Sequence, residues 1–140
     1  NIHDDHVPGL SMINHLRPVT YQFDTRKFDE HIMQLLPDST RHNRMEGNNY
    51  EQSSSRIMTG FLAQEVELVC NDLGYTFSGL HIPESEIDNY GIAYGSFVPI
   101  LVKGMQEQQA EIETLQNTVS MLVARLETLT AMIENTQHDK

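Results

Sequence analysis

From Val98 onward, apolar side chains fall alternately three and four positions apart: Val98, Leu101, Met105, Ile112, Leu115, Val119, Leu122, Leu126, Leu129 and Ile133. Only Gln108 and Thr136 interrupt the series with polar groups. Such steps keep one edge of an α-helix apolar, which is the heptad signature of a coiled-coil seam. A single helix cannot shield a continuous apolar edge, so the pattern predicts a helix over residues 97–137 that needs partner helices, and copies of the same chain supply matching edges. With Val98 at heptad position a, β-branched residues and Leu dominate a and d, an arrangement that favours two strands. Val102 and Val123 at e and Met132 at g widen the edge, however, to what three helices cover. Charged g-to-e′ pairs are nearly absent, since Glu111 faces Gln116 and Arg125 faces Thr130. The expectation is a parallel homotrimer whose orientation is imposed by the rest of the chain, with Gln108 setting register by hydrogen bonding to its copies.

Residues 1–96 show shorter patterns. Leu10, Ile13 and Leu16 at three-residue steps predict a short amphipathic helix that Pro18 stops, and Val19, Tyr21 and Phe23 alternate with polar residues as a half-buried strand does. Residues 24–56 read as a polar insertion with one helical patch, Phe28, Ile32, Leu35 and Leu36, ended by Pro37; Asn48-Asn49 and Ser53–Ser55 read as solvated loop. Ile57–Ala63 predicts a strand or strand end, and Leu62, Val66, Val69 and Leu73 share one face of a following helix that Gly74 stops. Tyr75–Phe77 and Tyr90–Tyr94 are strand candidates flanking an acidic loop with Glu84, Glu86 and Asp88. Ser96 is placed to cap the long helix, and Pro99 falls in its first turn, where a missing N–H breaks no helical bond. The fold class expected is therefore α+β: a head with a small antiparallel sheet and short helices over residues 1–96, a coiled-coil helix over 97–137, and a disordered tail at 138–140.

Charge narrows the partners. The 140 residues carry 9 Lys and Arg against 20 Asp and Glu, for a net charge of −11. Residues 97–140 hold three basic and six acidic residues, so the head is acidic as well and neither half offers the clustered cations that a nucleic-acid partner needs. No apolar run approaches the ~20 residues of a membrane span. The lone Cys70 cannot close an intrachain disulfide and reads as a small buried apolar residue.

Candidate chemistry is sparse. His3-Asp4-Asp5-His6 has residue types that ligate divalent metals, but a solvated terminus accounts for it better, and no metal or cofactor is expected. Ser96 and Lys103 share a helix face, yet seven positions span about 10 Å of rise, too far for direct proton transfer. Gln64 and Glu65 lack a second carboxylate or nucleophile within sequence reach and read as structural, as does Arg17, expected to meet a carboxylate. No catalytic residue is assigned.

Three segments carry a resemblance: Leu16-Arg17-Pro18-Val19-Thr20-Tyr21, then Gly60-Phe61-Leu62-Ala63-Gln64-Glu65-Val66-Glu67, then the stretch from Tyr94 to Glu107 with Pro99 inside it. In this order, leading into a heptad helix, they resemble the intramolecular chaperone domain of phage endosialidases and tail fibres, whose relatives occur in bacterial surface proteins and in the myelin regulatory factor. The insertion at 24–56 and the loop at 81–90 look most like the versions in gut-type Bacteroidetes tail-fibre proteins. The resemblance implies a homotrimer at the C-terminus of a fibrous protein on a virion or cell surface, aligning three chains so that the upstream stalk folds in register. It also implies release by a Ser-Lys dyad just before the domain. Asn1-Ile2 is similar to the position after that Lys, so the dyad is expected upstream of this chain, leaving the chain itself non-catalytic. The alternatives are an autoproteolytic serine peptidase domain and a plain trimerisation adaptor.

Overall fold

The computed structural model describes residues 6–138, with side chains over 6–135. His3, Asp4 and Asp5 of the possible metal cluster, and Asp139 and Lys140 of the expected tail, lie outside the described residues. The chain is α+β and ends in a 42-residue helix. In order it forms α1 (Gly9–Ile13), β1 (Val19–Gln22), α2 (Thr25–Ile32), α3 (Asp38–Glu46), α4 (Tyr50–Ser54), β2 (Ile57–Gly60), α5 (Ala63–Asp72), β3 (Leu80–His81), β4 (Gly91–Ile92), a 3-10 turn (Tyr94–Ser96) and α6 (Phe97–His138).

β1 and β2 pair antiparallel, Val19 opposite Gly60 and Gln22 opposite Ile57. The alternation along β1 is as the sequence predicts, with Val19 and Tyr21 half-buried and Thr20 and Gln22 exposed. Phe23 lies beyond the strand, its ring 5.1 Å from that of Phe28. In place of one sheet there are two, because Tyr75–Phe77 is not a strand and Leu80–His81 pairs instead with Gly91–Ile92. Phe77 is drawn into the core, where its ring lies 4.5 Å from Phe97.

The insertion is more helical than its polarity suggests. α2 ends at Ile32, so Leu35 falls outside it and is exposed, while Met33 is buried. The stretch expected as loop around Asn48–Ser55 contains α4, started by the Asn49 side chain accepting the Gln52 N–H at 3.1 Å. Asp24 starts α2 likewise, accepting the Lys27 N–H, and that bond holds its carboxyl below the usual pKa. Tyr50 Oη donates to Asp29 Oδ2 at 2.9 Å, and Arg26 lies over the Tyr50 ring, tying α4 to α2.

The core joins α1, α5, Phe77 and the first turns of α6 through Met12, Val66, Cys70, Phe77, Phe97 and Ile100. Met12, fully buried, lies off the Leu10–Ile13–Leu16 pattern and was invisible to it. Burial and the nearby Glu67 charge push the Cys70 thiol pKa up, which keeps it a protonated packing group. α5 ends at Gly74, whose φ of +60° is the left-handed cap: Tyr75 N–H reaches back to Cys70 O at 2.9 Å and Gly74 N–H to Asn71 O. Ser96, expected as a cap, instead closes the 3-10 turn that runs directly into α6, while Pro99 sits in the first turn of that helix.

Between β3 and β4 the loop is organised by Asp88, which accepts from Glu84 N–H, Asn89 N–H and the His81 ring. The two backbone bonds, more than His81, hold its carboxyl below the usual pKa. Because the folded pKa lies below the unfolded value near 3.8, this stabilisation is present above that pH and fades as pH falls through the folded value. Amide shifts of Glu84 and Asn89 should titrate below pH ~4, and Asp88→Asn should abolish the titration. Gly74→Ala, with open space around the added methyl, should cost about 1 kcal/mol through backbone strain alone; urea unfolding measures it.

Candidate self-association surface

α6 presents two apolar faces at its start. Phe97, Ile100 and Gly104 face the head and are buried, while Val98, Leu101, Val102 and Met105 remain exposed. At 100° per residue the two sets point roughly 120° apart around the helix. The head therefore occupies one side of the rod and leaves the other uncovered. From Gln108 through Asn135 every residue is exposed, including Ile112, Leu115, Val119, Leu122, Leu126, Leu129 and Ile133. Leu115 is 63% and Leu126 64% exposed, so nothing within this chain covers the edge. Val123 at e and Met132 at g are exposed beside it.

The threonine and serine hydroxyls along this part of the helix are satisfied within it. Thr118 and Thr130, at g and e, donate their hydroxyls to the carbonyls of Thr114 and Leu126 at 2.9 Å, and Thr114, Ser120 and Thr128 donate in the same i−4 manner. A neighbouring helix packed there would strand no hydroxyl. Full burial of each Leu or Ile contributes about 1.5 to 3 kcal/mol, so the edge as a whole outweighs the cost of ordering one Gln108.

The motif residues of the head meet one another. Arg17 donates through Nε and Nη2 to the two Glu65 oxygens, linking the start of the first segment to α5, and this carboxylate raises the Arg17 pKa through hydrogen bond and charge. Both partners are partly solvated, so the pair orients more than it stabilises. The Phe61 N–H donates to Tyr94 Oη at 3.0 Å, and Phe61 packs against the rings of Tyr94 and Phe97. Gly60 is required there, because a side chain would overlap Tyr94 Oη and crowd Tyr21. Pro18, Gln64 and Pro99 are exposed, and among the described residues the Gln64 amide has no hydrogen-bond partner.

Ser96 and Lys103 are not brought together: Ser96 packs beside Gly79, whereas Lys103 lines an open cleft with His6, Tyr75 and Glu107. Among the described residues no group of three or more His, Cys, Asp or Glu is arranged to hold a metal ion, and no helix is long and apolar enough to cross a membrane. Comparison with family models, with curated proteins and with solved structures finds no match for this chain.

A helix with no partner over residues 108–138 is marginal in water, where packing rather than propensity supplies most helical stability. Helical circular dichroism should therefore fall on dilution, while the near-ultraviolet signal of the Phe61–Tyr94–Phe97 cluster should stay constant. A helical signal independent of concentration down to the nanomolar range would show that the rod needs no partner.

Proposed function

We propose that this chain is a trimerising chaperone domain that gathers three copies through α6 and directs folding of an upstream fibre of the same polypeptide, on a virion tail fibre or a bacterial surface. The observation that carries the reading is the apolar edge from Val98 to Ile133, exposed along its whole length and continuous past the head. The width added by Val102, Val123 and Met132 favours three helices over two. The resemblance of three segments to the endosialidase-type chaperone supports the role, and these segments contact one another through Arg17–Glu65 and Phe61–Tyr94. The domain acts by binding and geometry: tethering three chains raises their local concentration, which offsets the slow nucleation of long-range β structure. Release from the fibre by a Ser-Lys dyad upstream of residue 1 is part of the same proposal.

Two experiments test it. Leu115→Asp together with Leu122→Asp should convert the assembly to monomers; an unchanged mass would place the holding contacts in the head. In the full-length parent, deletion of residues 97–140 should leave the upstream fibre misfolded or aggregated. Correct folding without them would reduce the domain to an adaptor.

A further inference from the structure

The first helix of the head, besides joining the core, is fastened backbone to backbone against the rod. Gly9 lies so close to α6 that a methyl group there would sit 2.8 Å from the Gly104 amide nitrogen and collide with Glu107, and a methyl at Gly104 would overlap Ile13. Glu107 closes the contact by accepting the Leu10 N–H at 2.7 Å, across 97 positions of sequence. Met12, one turn on, is fully buried in the same contact. Two glycines and a carboxylate thus bring α1 and α6 backbone to backbone, a geometry with no spare rotamers to absorb slippage.

We propose that Gly9, Gly104 and Glu107 form a positioning joint that transmits the register of the rod to α1 and, through the head, to the upstream fibre of the same polypeptide. The proposal rests on the trimeric reading above. Gly104 falls at g and Glu107 at c, so the joint flanks the a and d positions without occupying them, and three joints fall on a threefold ring around the first two heptads. A slip of one heptad moves a joint about 10 Å along the axis, which is roughly three residues of an extended strand. Rod register and upstream strand register are thereby coupled in coarse, distinguishable steps.

The test places a nitroxide on α1 through Ser11→Cys, with Cys70 buried beyond the reagent, and measures inter-chain distances together with amide exchange and mass. The unsubstituted joint should give one narrow distance distribution. Glu107→Leu should keep the trimer mass, broaden the distribution at least about twofold, and speed exchange in residues 9–16 about tenfold while α5 changes little. Glu107→Gln, which retains an acceptor oxygen, should restore the narrow distribution. Gly104→Val is the second variant and should reproduce the broadening. An unchanged width in both variants would overturn the joint, as would equal loss of protection in α5, which marks ordinary core. A monomer mass for the protein carrying only Ser11→Cys would instead overturn the trimer itself, and the mass reports that failure separately.

Discussion

Water against the uncovered side of α6 is the constraint on which everything else turns. The helix runs 42 residues, about 63 Å at 1.5 Å per residue, and the head covers only its first two or three turns. Beyond them, Leu115, Leu122, Leu126 and their neighbours stand in solvent although each would gain from burial. A continuous edge of this length and regularity, unlike scattered surface apolar residues, marks an interaction surface. Its heptad spacing is the basis for proposing another helix of matching period as the partner.

The head makes sense in relation to that edge. Its core closes about 120° around the rod from that edge through Phe97, Ile100 and the Gly9–Gly104 approach, so building the head leaves the a and d positions uncovered. The weakness of the g-to-e′ charge pairs leaves orientation to other contacts, and rigid attachment of each head to the first two heptads offers a means: an antiparallel arrangement would separate the heads by the length of the rod. Gly60, Phe61 and Tyr94 hold β2 and α5 to the start of α6, while Arg17 and Glu65 hold the end of β1's lead-in to α5. The insertion at 24–56 is tied within itself by the Tyr50–Asp29 bond, with Met33 buried.

Patterns that encode burial directly were legible in the sequence. The long helix follows from its 3.5-residue period, β1 from the alternation of Val19 and Tyr21 with Thr20 and Gln22, and the end of α5 from Gly74, which takes the left-handed conformation that glycine adopts cheaply. Elements held by local polar bonds were not. α3 has no apolar period and carries an Asp38–Arg41 ion pair and a His42–Glu46 side-chain contact, and α4 depends on the Asn49 cap, a signal present as Asn49 three residues before Gln52. Met12 and Phe77 escaped because their burial is set by partners far away in sequence, α6 above all. For the surface itself, the seam positions could be named in advance, but the second, head-facing side of α6 through Gly104 and Glu107 could not, since a glycine and a glutamate in a helix acquire meaning only when α1 is laid against them.

Sedimentation equilibrium of the intact chain at micromolar concentration tests the central claim most directly. The account predicts a single species of three times the 16.0 kDa chain mass. A species of one chain, or of two, would contradict it.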